Sequence, residues 1–309
     1  MKKNMPLKLL KRKLDSLKNP SYTAQRLNPT TKLYQKAAHN GDAEAQFNLG
    51  LTYKDGQDVQ QDNSMAVKWY QKAAEQGHIA SQFNLGSLYR DGKGVQQDFS
   101  LAAEWYQKAA EQGHIASQFN LGSLYRDGKG VQQDFSLAAE WYQKAAEQGH
   151  IASQFNLGSL YQDGKGIQQD FALAVKWYQK AAEQGHIASQ FNLGSLYQEG
   201  KDVQQDFALA AKWYQKAAEQ GHIASQFNLG SLYQEGKDVQ QDFALAAKWY
   251  QKAAEQGHIA SQFNLGSLYQ EGKGLRQDKN QAKEWFGKAC DNGDQAGCDN
   301  YRILNELGY

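Results

Sequence analysis

Tryptophan occurs seven times in this chain of 309 residues, at Trp69, Trp105, Trp141, Trp177, Trp213, Trp249 and Trp285, always 36 residues apart. Phenylalanine keeps the same step from Phe47 through Phe83, Phe119, Phe155, Phe191 and Phe227 to Phe263. Two pairs of successive 36-residue blocks, 79–114 with 115–150 and 187–222 with 223–258, are identical letter for letter. Identical blocks need near-identical surroundings, which a stack of equivalent units supplies and one globular core does not. Length alone would suggest two ordinary domains, and the repeat overrides it. All three prolines (Pro6, Pro20, Pro29) precede the array, so none removes a backbone donor from a helix inside it.

One block, "IASQFNLGSLYRDGKGVQQDFSLAAEWYQKAAEQGH" (79–114), shows how each unit folds. In its second half Ala102, Trp105, Tyr106, Ala109 and Ala110 follow the spacing i, i+3, i+4, i+7, i+8, one apolar helical face. This predicts a helix B over about 98–111, with Asp98 as N-cap and Gly113 as the left-handed residue beyond its end. In the first half, Ile79 to about Arg90, the apolar residues Phe83, Leu85, Leu88 and Tyr89 cover more than one face. Such a helix A is sandwiched between neighbours. Gly86 costs up to ~1 kcal/mol of helix propensity, and its return in every block says that another helix needs the space. The run "DGKG" (91–94) turns helix A into helix B.

The pattern A-x-A-Q-F-N-L-G-x-x-Y-x-x-G-x-x-V-x-x-D-x-x-x-A-x-x-W-Y-x-K-A-A-x-x-G, running from Ala43 to Gly77, resembles the Sel1-like repeat, a 36-residue relative of the tetratricopeptide repeat. The resemblance implies an all-α, right-handed α-solenoid of helix-turn-helix units that serves as an adaptor or scaffold for protein partners. Seven full units are expected over 43–294 (43–78, 79–114, 115–150, 151–186, 187–222, 223–258 and 259–294). Residues 29–42 read as a lone helix B capping the start, and 295–309 as a closing helix A. Residues 1–28 form a basic N-terminal segment, amphipathic helix or partly disordered.

The net charge of +1 conceals an asymmetry. Residues 1–28 carry eight Lys/Arg against Asp15 alone, or +7, which leaves −6 for the rest. A mildly acidic array lacks the basic face of a nucleic-acid binder. No apolar run approaches the ~18 residues needed to span a bilayer. The N-terminus has a basic start but no apolar stretch behind it, so the chain reads as cytoplasmic. A true start further upstream would make a periplasmic or secreted protein the alternative. Leu7, Leu10, Leu14 and Leu17 form an apolar stripe that ends before Pro20. It has three open uses: covering the first repeat, engaging a partner helix, or a membrane-surface contact through residues 1–19.

Candidate chemistry is sparse. His78, His114, His150, His186, His222 and His258 form a ladder, one per junction between repeats. Helices pack 8–10 Å apart, roughly, so equivalent atoms of adjacent rungs cannot share an ion whose ligands sit ~2.0–2.1 Å from it. The histidines therefore read as helix-start or junction residues, and no metal or cofactor is expected. No Ser-x-x-Lys, Gly-x-Ser-x-Gly or phosphate-binding Gly-x-x-x-x-Gly-Lys-Ser/Thr occurs, which argues against an enzyme. The alternative comes from the cysteine-rich branch of the family, which is associated with β-lactam binding and hydrolysis. That branch uses cysteines at i, i+8 for disulfides, the spacing of Cys290 and Cys298 here. A bridge between them is possible, although the N-terminal reading favours reduced thiols.

The asparagines before each Leu-Gly pair, including Asn84, Asn120, Asn156, Asn192 and Asn228, lie on the more polar side of helix A. In the related tetratricopeptide repeat that side lines the concave groove. An amide both donates and accepts, so it suits the N–H and C=O of an extended peptide. A bond to the neighbouring helix fits equally, and both uses stay open. Six residues after each Asn the chain changes from Lys54, Arg90 and Arg126 to Gln162, Gln198, Gln234 and Gln270. Arg90 and Arg126 are the candidates for holding an acidic group, against a plain solvated edge with local ion pairs. The expectation is a non-enzymatic scaffold binding a protein or extended peptide along a concave surface, with a β-lactam-acting enzyme or a purely structural spacer as alternatives.

Overall fold

A computed structural model describes residues 28–201 and 203–309. The N-terminal leucine stripe and any membrane contact of residues 1–19 lie outside them. The described residues form sixteen helices and no strand: α1 Pro29–His39, α2 Ala43–Asp55, α3 Asn63–Glu75, α4 Ile79–Asp91, α5 Phe99–Glu111, α6 Ile115–Asp127, α7 Phe135–Glu147 and α8 Ile151–Asp163. Then follow α9 Phe171–Glu183, α10 Ile187–Glu199, α11 Phe207–Glu219, α12 Ile223–Glu235, α13 Phe243–Glu255, α14 Ile259–Glu271, α15 Lys279–Asp291 and α16 Gln295–Glu306. From α2 on, even numbers are A helices and odd numbers B helices. The fold is an α-solenoid of helix pairs, and no described helix is long and apolar enough to cross a membrane.

The helices fall into two compact units. The first holds α1–α5 and the opening turn of α6, with residues 129–131; the second holds the rest of α6 and α7–α16.

In the first unit, Asp98 caps α5 by accepting from the backbone N–H groups of Ser100 and Leu101, both at 2.9 Å. Helix α4 ends on Gly92, whose φ of 66° is the left-handed conformation a glycine adopts without strain. The expected close approach at Gly86 is present: a Cβ there would lie 2.8 Å from the Tyr106 ring. The core is a three-helix cluster. Ala66, Tyr70 and Ala74 of α3 meet Leu85 and Leu88 of α4, and Trp105 of α5 packs against them. Tryptophan thus joins one repeat to the next, which explains why its step equals the repeat.

The second unit builds the same cluster repeatedly, for example from Ala138, Tyr142, Leu157, Leu160 and Trp177. The outer face of each of these tryptophans carries a lysine one turn on; Lys180 lies 4.4 Å from the Trp177 ring centre. At the C-terminal end Cys290 and Cys298 are joined by a disulfide, with Cα atoms 4.5 Å apart, so the expectation of free thiols is corrected. The reason is local: Gly297 brings α16 so close to α15 that a Cβ there would lie 2.9 Å from the Ala289 Cβ.

Candidate functional site

Helices α8, α10, α12 and α14 place Asn156, Asn192, Asn228 and Asn264 at one recurring position in the second unit, each half-buried. Behind each lies the buried tyrosine of the preceding B helix: Tyr142, Tyr178, Tyr214 and Tyr250. The asparagine amides lie near enough to these hydroxyls to pull their pKa down. Burial pushes the four phenols above their ordinary pKa, Tyr178 to about 12, and the serine hydroxyls and asparagine amides beside them pull them partly back. Serine completes the hub: Ser195 Oγ is 3.2 Å from the Tyr214 hydroxyl, and Ser231 Oγ 3.2 Å from that of Tyr250. The Tyr178 and Tyr214 hydroxyls also donate to Gln162 and Gln198 Oε1, both at 2.7 Å.

The neighbouring helix is therefore within reach of the amide in four rungs, and an amide can both donate and accept elsewhere as well. Asn120 occupies the same place on α6 and is half-buried. Asn84, in the first unit, differs, because the Tyr70 hydroxyl behind it has no hydrogen-bond partner.

Arg90 and Arg126 point to their own neighbours. Each donates from Nε to the next carboxylate, Asp91 or Asp127, at 2.8 Å. The Arg90 guanidinium holds the Asp91 carboxyl below the usual carboxylate range. An acidic ligand group would have to share these guanidinium groups with those carboxylates.

Two clefts open beside the asparagines. One, of about 530 Å³, lies between α2 and α4 and includes Lys54, Asn63, Asn84, Asp91 and Lys93. Its counterpart between α12 and α14, about 280 Å³, includes Gln234, Phe243, Asn264, Glu271 and Lys273.

The histidines start helices. His186 Nδ1 accepts from the Ser189 backbone N–H at 3.3 Å and lies 2.9 Å from its hydroxyl; the same geometry recurs at His78, His114, His150, His222 and His258. Accepting at Nδ1 requires the neutral ring, and burial pushes the pKa of His186 down. Among the described residues no group of three or more His, Cys, Asp and Glu converges to hold a metal.

One structural ladder went unread in the sequence. Gln82, Gln154, Gln190, Gln226 and Gln262 are buried in A helices, where each donates to a carbonyl at the end of the previous B helix, Gln82 to Ala74 at 3.1 Å. Its signal was a polar residue beside the invariant phenylalanine on a sandwiched helix.

The profile of the Sel1 repeat family matches residues 31–42, 43–78, 79–114, 115–150, 151–186, 187–222, 223–258 and 259–294. No curated protein matches the chain. Among solved structures, a protective antigen present in uropathogenic Escherichia coli strains and displaying an SLR fold is 35% identical, with a TM-score of 0.82 over 99% of this chain and 68% of the antigen. A Sel1 repeat protein from Oxalobacter formigenes is also 35% identical, with a TM-score of 0.67 over 90% of this chain and 79% of that one.

Proposed function

The chain belongs to the Sel1 repeat family, and from that premise we propose that it is a non-enzymatic scaffold that binds an extended polypeptide along the A-helix face of its second unit. One observation carries this reading. Asn156, Asn192 and Asn228 recur one repeat apart, each half-buried beside a buried tyrosine of the preceding helix. Half-burial restricts the amide beforehand and removes part of the ordering cost of binding. A peptide backbone offers an N–H and a C=O at regular intervals, and an amide answers both. A net hydrogen bond is worth ~0.5–1.5 kcal/mol, so affinity accumulates over several rungs. The partner is a protein or peptide; no nucleic acid or cofactor enters this reading.

The test is affinity capture from native lysate with the wild type and with Asn156→Ala/Asn192→Ala/Asn228→Ala, helicity being checked by circular dichroism. The folded variant is expected to lose partners that the wild type retains. A Tyr178→Phe variant, which changes the surroundings of the Asn192 amide without deleting it, should lose less. Full retention by the triple variant would leave a structural spacer as the better reading.

A further inference from the structure

The residue before each tryptophan changes sign along the B helices of the second unit. It is Glu140 in α7, Lys176, Lys212 and Lys248 in α9, α11 and α13, and Glu284 in α15. One turn after it, each of these helices carries a lysine over its tryptophan. These are Lys144, Lys180, Lys216, Lys252 and Lys288, with Nζ 4.0–4.4 Å from the ring centre. In α15 the two positions form an i, i+4 ion pair, Lys288 Nζ lying 2.7 Å from Glu284 Oε1. In α9, α11 and α13 both are lysine. A like-charged i, i+4 pair repels where Glu–Lys attracts, so three consecutive helices forgo the stabilising arrangement that α15 has. In the first unit α3 has the same pair, Lys68 and Lys72, but alone, because α5 follows with Glu104.

The three lysine pairs make one continuous face. Trp213 of α11 packs on Ala174, Tyr178 and Ala182 of α9, and Trp249 of α13 on Ala210, Tyr214 and Ala218 of α11. The paired positions are about 6 Å apart along a helix and roughly 8–10 Å apart from one helix to the next. All six lysines are exposed, and among the described residues none of them is ion-paired. The carboxylates of the same face, Glu183, Glu219 and Glu255, accept instead from Gln179, Gln215 and Gln251 of their own helices at 2.8–2.9 Å. The face thus presents six ammonium groups against three carboxylates.

Its chemistry selects among anionic partners. Every cation is lysine, a hydrated point charge without the planar fork by which arginine orders a carboxylate. Trp177, Trp213 and Trp249 beneath are only 7% exposed, and α9, α11 and α13 expose no large apolar side chain. The face therefore lacks the aromatic anchor that dominates protein interfaces and the platform on which a nucleic-acid base stacks. It matches a field of phosphates that needs no fixed register, the surface of an anionic bilayer, which attracts lysines by charge alone.

We propose that α9, α11 and α13 dock on an anionic phospholipid surface through Lys176, Lys180, Lys212, Lys216, Lys248 and Lys252. The asparagines of the A helices take no part, so this assignment is independent of the peptide-binding reading. The test is co-sedimentation of the full chain with vesicles of phosphatidylcholine alone and of equimolar phosphatidylcholine and phosphatidylserine. Binding is expected to the anionic vesicles only, and it should weaken with added salt. The decisive variant is Lys176→Glu/Lys212→Glu/Lys248→Glu, which gives each helix the Glu–Lys spacing of α15 and so favours the fold, circular dichroism verifying it. Its vesicle affinity should fall at least about ten-fold. Lys201→Glu/Lys237→Glu/Lys273→Glu makes the same change of charge in the inter-helix turns of the second unit and should alter binding little. Equal losses in the two variants, binding untouched by the first, or no preference for phosphatidylserine would overturn the proposal. Duplex DNA or polyglutamate bound as tightly as the anionic vesicles, with the same loss in the first variant, would overturn the assignment to lipid.

Discussion

The cleft between α2 and α4 and its counterpart between α12 and α14 are built on one backbone plan, and a few side chains set them apart: Lys54 and Asn63 in the first stand where the second has Gln234 and Phe243. A stack of repeats separates two demands that a globular core must meet together. Gly86, Tyr106 and Trp105 and their equivalents fix where a helix lies, while the residues six positions after each asparagine, and at the start of each B helix, set what a rung offers. Function can then vary along the chain without disturbing the fold.

The largest effect would break the shared plan itself. A Cβ on Gly50 would meet the Tyr70 ring at 2.7 Å, and one on Gly230 the Tyr250 ring at 2.8 Å. Gly50→Ala and Gly230→Ala should each destabilise by about 2–3 kcal/mol through overpacking, read from urea midpoints. If either is tolerated, the two clefts are not equivalent in their framework.

Next in size is the end of the array. Reducing the Cys290–Cys298 bridge should cost about 2.5 kcal/mol in the chain-entropy treatment of a loop this short. Hydrogen exchange should place the loss in α16, the terminal helix, and leave α12–α14 protected. Opening of the whole second unit would show that the rungs are more cooperative than separate sites allow.

Tyrosine sharpens the contrast between the clefts. Tyr214 bonds Ser195 and Gln198, so Tyr214→Phe should lose about 1 kcal/mol. Tyr70→Phe removes a buried hydroxyl without a partner and should be neutral or stabilising by up to about 1 kcal/mol. Equal losses in thermal or urea denaturation would mean that the first cleft is as well satisfied as the later ones.

The smallest effect is one of pH. Burial lowers the folded pKa of His114, His150, His186, His222 and His258 below the unfolded value of about 6.5. Above that value both states are neutral and the junctions contribute fully. As pH falls below it, the unfolded chain binds protons that the folded one refuses, so stability declines until the folded pKa is passed. The urea midpoint should therefore drop between neutral and mildly acid pH. His186→Asp borrows the residue that caps α2 and α16, Asp42 and Asp294, and should flatten that decline at its junction.

Most of the fold was legible in the sequence because its determinants are local. Asp98, Gly92 and Gly113 act on their own helix ends, and α4 and α5 lie where their apolar spacing puts them. The candidate site was legible only in part. The asparagine ladder could be found by its step, but its tyrosine partners lie on the preceding helix, in contacts that a helical wheel cannot show. The same limit hid the buried glutamines. The engagement of Arg90 by Asp91 is one of the two readings the sequence leaves open, a local ion pair at a solvated edge. The disulfide was obscured for another reason: cysteine spacing and N-terminal composition pointed in opposite directions, and the close approach at Gly297 puts the two sulfurs within bonding reach.

If the half-buried asparagines grip an extended chain rung by rung, the direct measurement is calorimetry of the captured partner against Asn192→Ala, then Asn192→Ala/Asn228→Ala, then all three with Asn156→Ala. The account predicts a similar loss at each step, about three- to ten-fold per rung. Undiminished affinity in the folded triple variant would contradict it.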